Sequence, residues 1–246
     1  MRHLIISDIH ANLFALQAVL TDCEGMYDDV WFLGDVVGYG PHPNECVEQL
    51  GDLNCLAIAG NHDWATLGRL DADSFNPDAR HVLLWTQTVL SKGNMQVLDE
   101  LEVSTVTEEH FTLVHGSPRH PIWEYILHPQ VAQANFDHFA TRYCLAGHTH
   151  DPVIFDESDG NESTCQAHLP AFNAGPQVLP DSRLIINPGS VGQPRDGDPR
   201  ASYGILDTDS LTFEPRRASY PVAQTQALME QFGFPARLII RLAFGR

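Results

Sequence analysis

Five short segments place metal-binding side chains directly after apolar, β-forming runs, and that placement restricts what the chain can fold into. They are SDIH with Asp8 and His10, LGDVVG with Asp35, AGNHD with Asn61 and His62, LVHGS with His115, and AGHTH with His148 and His150. Side chains leaving the carboxyl ends of strands meet at one place when the strands share an open α/β sheet with those ends along one edge. Carboxylate, amide oxygen and imidazole together suit divalent Mn, Fe, Co, Ni or Zn better than Mg or Ca. One ion cannot use so many donors. Convergence of the five segments therefore means a site for two metals.

The stretches between them follow a strand, loop, helix rhythm. Residues 2–7, 30–33 and 55–59 are predicted strands, and Gly34 and Gly60 end the second and third. Asn12 is placed to N-cap a helix carrying Leu13, Leu16, Val19 and Leu20 at helical spacing, and Pro43 opens a second helix to about residue 50. Residues 61 to about 101 are predicted helical, with a start at Asn76-Pro77-Asp78 and a break at Lys92-Gly93-Asn94. Strands at 111–114 and 143–146 deliver His115 and His148, with loop and helix over 116–141 between them. Segments 152–156, 182–186, 202–207 and 211–217 are short strands with turns between them, expected antiparallel. Residues 156–181 are expected to form a hairpin with a mobile tip, and helices at 221–232 and 235–244 close the chain. With no repeat or linker in view, residues 1–246 are expected to form one domain. The expected class is α/β with α+β elements: a four-layer α-β-β-α sandwich of two mixed sheets, with the dinuclear site at the carboxyl-terminal strand edge. An apolar stripe with Leu238, Ile239 and Leu242 would complete the core or, alternatively, form the seam of a homodimer.

Composition narrows the function classes. Hydrophobic residues make up 43% and charged residues 19%, which favours a globular chain over a disordered one. The net charge of −18, with Lys92 the sole lysine, argues against gripping a long nucleic-acid backbone. An acidic protein that handles phosphate needs positive charge from elsewhere, and bound divalent ions supply it. No apolar run approaches a membrane span, and no basic segment followed by an apolar stretch opens the chain. Cys23, Cys46, Cys55, Cys144 and Cys165 are odd in number and contain no Cys-x-x-Cys pair, so free thiols in a reducing cytoplasm are expected.

Taken singly, each segment has an ordinary reading: Asp8 as a turn residue, Asn61 as a helix cap, His115 as a core histidine. Taken in order, D-x-H, G-D, G-N-H-D, H and G-H-x-H resemble the calcineurin-like metallophosphoesterase superfamily, and the likeness runs from Asp8 to His150. GDVVGYGP from Gly34 and NPGSVGQPR from Asn187 resemble its small bacterial and archaeal phosphodiesterase-like branch and extend the likeness to about Tyr203. The resemblance implies Asp8, His10 and His150 on one metal, Asn61, His115 and His148 on the other, and Asp35 bridging them. It implies a water between two cations that loses its proton near neutral pH and attacks phosphorus in line. His62 would then donate a proton to the leaving oxygen or hold a non-bridging oxygen.

Arg195 and Ser190 are candidate substrate contacts, the first as a bidentate partner for phosphate and the second in a glycine-rich turn. Asn12 and Tyr39 stand close to ligands in sequence and are further candidates. Protein Ser/Thr phosphatases of the superfamily carry an Asp and an Arg shortly after the bridging Asp, where this chain has Gly38 and Tyr39. Small phosphate esters, diesters first, are therefore the expected substrates, with manganese the first choice of metal. A dinucleoside polyphosphate hydrolase, a phosphomonoesterase and a non-enzymatic metal-binding scaffold are the alternatives.

Overall fold

Alternation within the strands explains the layering. In the computed structural model, which describes residues 1–157 and 165–246, β1 (Arg2–Ile6) sends Leu4 and Ile6 into one apolar cluster and Ile5 into another. β2 (Asp29–Phe32) does the same, with Val30 and Phe32 on one face and Trp31 on the other. A strand apolar on both faces belongs between two covering layers.

The first sheet has the order β3 (Cys55–Ala57), β2, β1, β11 (Ala201–Asp207), β12 (Thr212–Ala218), β9 (Gln177–Val178). β1, β2 and β3 run parallel, in register Leu4↔Val30↔Cys55, while β11 is antiparallel to β1. The second sheet has the order β4 (Ser104–Thr107), β5 (Phe111–Val114), β6 (Tyr143–Ala146), β10 (Leu184–Asn187), β7 (Val153–Asp156), β8 (Gln166–His168). Here β5, β6 and β10 are parallel, and β4 and β7 are antiparallel to their neighbours. Both sheets are thus mixed.

Trp31, Phe111, Tyr143, Leu145, Ile186 and Phe213 fill the space between the sheets. The first sheet is covered by α1 (Leu13–Asp22), α2 (Pro43–Gly51) and α5 (Lys92–Asp99), and the second by α6 (Pro129–Phe136). The four expected layers are present. α3 (Asn61–Thr66) and α4 (Pro77–Val89) follow β3, and α7 (Val222–Gln231) and α8 (Ala236–Arg241) close the chain. Leu238, Ile239 and Leu242 are buried with Tyr39, Val82 and Met229, so the C-terminal stripe completes a core.

Some boundaries differ from expectation. The Lys92-Gly93-Asn94 break is instead the first turn of α5, because Ser91 caps it, accepting from Asn94 N–H at 3.1 Å. The interruption falls at Leu90, just before that cap. β4 was not expected, since its sequence STVT is an exposed edge strand without an apolar run. The hairpin expected over 156–181 is shorter: β7 pairs with β8 in register Ile154↔His168, the residues between them lie partly outside the described ones, and Gln177–Val178 pairs instead with β12.

Candidate metal centre

The loops that carry the candidate ligands turn by left-handed backbone at residues other than glycine. Asp8, His10, Asp35, His148 and His150 have φ of 53°, 47°, 62°, 66° and 64°. Such conformations cost about 1–3 kcal/mol each and persist where the surroundings enforce them. Here the surroundings are neighbouring ligand loops. Asp8 N–H donates to the Gly34 carbonyl at 3.0 Å, His10 N–H to the Asp35 carbonyl at 3.0 Å, and Gly147 N–H to the His115 carbonyl at 2.9 Å. Glycine is needed at Gly60 and Gly147 for space: a Cβ at the first would overlap the Asp35 carboxylate, and at the second Ser7 Oγ.

All seven expected metal ligands come together, each buried. On one side His10 Nδ1 donates to the Val37 carbonyl (3.0 Å) and His150 Nδ1 to the Gln193 carbonyl (2.7 Å). A carbonyl can only accept, so both Nε2 atoms carry bare lone pairs in the neutral rings. Those two atoms face each other at 3.0 Å, and Asp8 Oδ1 lies 3.2 Å from His150 Nε2. Asp8 Oδ1 is buried with no hydrogen-bond partner among the described residues. On the other side His115 Nε2 is 3.1 Å from Asn61 Oδ1, 3.1 Å from His148 Nδ1 and 3.3 Å from Asp35 Oδ2. His115 Nδ1 and His148 Nε2 are engaged by the Leu33 and Trp123 carbonyls at 2.8 and 3.2 Å. Asp35 Oδ2 also lies 3.7 Å from His10 Nε2, so this unpartnered oxygen faces both sides.

Donors bound at about 2.1 Å to one ion stand roughly 3.0–3.5 Å from each other. The separations above are of that size, and so many acceptors crowded together call for cations. The electrostatics agree. Burial opposes ionisation of Asp8 and Asp35, yet the histidines packed against them hold both carboxyls well below the usual carboxylate range. Burial lowers His10 and His150, and it brings His148 down to about 3, so these rings are neutral at pH 7. His115 alone is raised, to about 9: burial works against its charge, but Asp35 and Asp8 outweigh it. In the absence of an ion, the cluster draws a proton onto that ring. The chemistry of the donor set fits two divalent ions, with Asp35 between the half-sites.

His62 borders the centre, with a ring nitrogen within 4.8 Å of the His10 and Asp35 ligand atoms. Its ring lies 4.9 Å from His10, 4.5 Å from Tyr39 and 4.9 Å from Phe75, centroid to centroid. Its Nδ1 is buried without a partner against Gly38, which leaves Nε2 to face the site. Burial pushes it down to about 4, although Asp35 pulls the other way.

The expected substrate contacts divide. Arg195 is partly buried near the centre, with its guanidinium carbon 5.8 Å from the Tyr39 ring centroid, and Tyr39 itself packs on His10 and His62. Ser190 is fully buried: its hydroxyl donates to the Asp8 carbonyl (2.9 Å) and accepts from Gln193 N–H (2.8 Å), so it fixes the loop. Asn12 is likewise internal. It caps α1 as expected, donates to the Gly192 carbonyl at 2.9 Å and accepts from Thr225 Oγ1 at 3.1 Å. Both are corrected from substrate contacts to supports of the ligand loops.

Two further supports were missed. Asp63 is completely buried, and its carboxylate accepts from the N–H groups of Asp35 (2.8 Å), Gly60 (2.9 Å) and Val37 (3.2 Å). Burial, reinforced by Asp35, raises it to about 7. The available signal was an acid three residues past Gly60 at a helix start. Asn187 ties the Gly147 carbonyl (2.7 Å) and Thr149 Oγ1 (2.9 Å) to β10. Tyr125 was also missed; it stacks on His148 at 3.8 Å, beside half-exposed Trp123.

Residues 1–211 match the model of the calcineurin-like phosphoesterase superfamily domain. The chain is 38% identical over 247 residues to MJ0912, an uncharacterised protein of Methanocaldococcus jannaschii, covering 98% of this chain and 97% of that one. It is similar to the crystal structure of a metallophosphoesterase from Sphaerobacter thermophilus, with TM-score 0.89, 48% identity, and coverage of 100% of this chain and 99% of that one. A hypothetical protein of Pyrococcus horikoshii, PH1004, shares the fold at TM-score 0.79 and 18% identity, over 100% and 98% of the two chains. The chain therefore belongs to the calcineurin-like phosphoesterase superfamily and is a hydrolase acting on phosphate esters.

Proposed function

We propose that this protein hydrolyses small phosphate diesters with two divalent ions, manganese first among them. The observation that carries the reading is the meeting of metal-ligating atoms: His10 Nε2, His150 Nε2 and Asp8 Oδ1 on one side, and Asn61 Oδ1, His115 Nε2 and His148 Nδ1 on the other, with Asp35 Oδ2 between. Two ions held there would acidify a water and neutralise charge developing on the phosphoryl oxygens. The mixed O and N donors suit Mn, Fe, Co, Ni or Zn.

His62 acts at the leaving group through Nε2. With its ring neutral in the resting protein and Nδ1 sealed against Gly38, Nε2 carries the proton. It meets a phosphoryl oxygen as a hydrogen-bond donor. An anionic substrate beside it favours the protonated ring and so its second role, proton delivery to the departing oxygen. Arg195 meets the anionic part of the substrate at the rim.

Gly38 supports small substrates over phosphoproteins. Its contact with His62 leaves no room for the acidic partner that the protein phosphatases place after their bridging Asp. Among the described residues no helix is long and apolar enough to cross a membrane. We infer one domain acting in the cytoplasm, a reading supported by the five free cysteines.

The test is hydrolysis of bis(p-nitrophenyl) phosphate by protein loaded in turn with Mn, Ni, Co and Zn, repeated with His62→Ala. Turnover that falls at least 100-fold in the variant supports the reading. No turnover with any of the four metals overturns it.

A further inference from the structure

The loop that follows His115 has an alternation of its own. Ile122 and Ile126 are buried, and between them Glu124 is held by Arg119, Asn135 and Ser117. Trp123, Tyr125 and Leu127 face outward, with Trp123 40% exposed and Tyr125 42%. Exposed apolar side chains scattered singly carry no message, but a patch of them marks a binding surface. The loop is also fixed in place: Trp123 N–H donates to the His120 carbonyl at 3.2 Å, and the carboxylate network of Glu124 lies directly beneath.

Two of these side chains stand at the metal centre. Tyr125 stacks on His148 at 3.8 Å with an interplanar angle of 19°, and the Trp123 ring lies 6.4 Å from the same imidazole. The Trp123 carbonyl accepts from His148 Nε2, which ties the loop to that ligand. Trp123 reaches the other side of the centre as well. Phe75, just ahead of α4, packs edge-on against Trp123 at 5.1 Å and against His62 at 4.9 Å. Phe75 and Trp123 thus form a continuous aromatic wall from His62 to a metal ligand, buried at the His62 end and open at Trp123.

A phosphate ester held at the metals would present its leaving oxygen to His62, and Phe75 and Trp123 are the next surface outward. Flat rings stack on exposed aromatic side chains with a gain in affinity on the order of tenfold, which a saturated group of similar size does not match. We propose that Trp123, backed by Phe75, is a stacking platform for a planar aromatic group on the leaving side of the substrate. The preferred esters then carry an aryl ring or a nucleobase. The platform rests on the phosphoesterase reading above, which places the phosphate on the metals and the leaving oxygen at His62.

Phosphonates test it, because their P–C bond resists ester hydrolysis and their binding to Mn-loaded protein is read by calorimetry without turnover. One pair, benzylphosphonate and cyclohexylmethylphosphonate, sets a planar ring against a saturated one at the ester position. The other pair, the 5′-methylenephosphonates of adenosine and of ribose, adds a nucleobase across a sugar. Wild type is expected to favour the aromatic member at least tenfold in one pair or both, and the pair that does so names the source of the ring. Trp123→Leu should bring that preference to within twofold, and Trp123→Phe should keep it above threefold. Methylphosphonate, which has no ring, should bind wild type and Trp123→Leu alike. Preferences within twofold in both wild-type pairs, a preference that survives Trp123→Leu, or no binding of either aromatic member overturns the platform. Absence of diester turnover beside a ring preference would sink the proposed function and leave the platform standing.

Discussion

His10 and His150 meet nitrogen to nitrogen, Nε2 to Nε2 at 3.0 Å, while each ring gives its single Nδ1 proton to a backbone carbonyl. Two lone pairs held that close repel unless a cation lies against both. Metal loading should therefore stabilise the fold. At ion concentrations 100-fold above Kd, ligand linkage gives about 2.7 kcal/mol. For a chain of this length that is a rise in Tm of roughly 5 °C or more. Differential scanning fluorimetry with Mn against EDTA measures it, and His150→Ala should abolish the rise.

The carboxylate of Asp63 collects three N–H groups from the strand ends that carry Asp35 and Asn61. Asp63→Ala leaves these buried donors without an acceptor, at about 1–3 kcal/mol each before relaxation. Supports of this kind typically alter metal affinity by about 10–100-fold. Asp63→Asn, which keeps one acceptor oxygen, should lose less in both Tm and Mn affinity. Isothermal titration with Mn of both variants checks the ranking.

Gly60 and Gly51 make a matched pair. A methyl group at Gly60 overlaps the Asp35 carboxylate, whereas at Gly51 it meets open space at the end of α2. Gly60→Ala should lose Mn binding outright, while Gly51→Ala should leave both Mn affinity and Tm near wild type. Equal losses in the two variants would count against the role of Gly60 in shaping the site.

Much of the site could be read from the five segments, because metal ligands are chemically scarce and each follows an apolar strand. The strand faces were legible for the same reason: Leu4, Ile5 and Ile6 alternate between layers, as a doubly covered strand must. What stayed hidden depends on the third dimension. Nothing in SDIH announces left-handed backbone at Asp8 and His10. The burial of Ser190 and Asn12 appears only once residues 187–193 fold over the Asp8 loop. Tyr125 gives no local signal, since its partner His148 lies on a different element.

Glu124 gives a pH dependence outside the metal ligands. Its carboxylate accepts from Arg119, Asn135 and Ser117, and Arg119 above all brings it down to about 2. A carboxyl depressed in the folded state stabilises above its unfolded value of about 4.3, and that contribution is lost as pH falls toward 2. Between about pH 4.5 and pH 2, Glu124→Gln should therefore lose less stability than wild type. Urea midpoints across that range are the measurement. A difference between the two proteins that stays constant with pH would contradict the assignment.

The dinuclear centre is tested most directly by counting manganese per chain at equilibrium dialysis, in wild type and in His62→Ala. The ligand geometry predicts two ions in both proteins, because seven donors other than His62 make up the two half-sites. One ion or none in wild type, or the loss of an ion on removing His62, would contradict it.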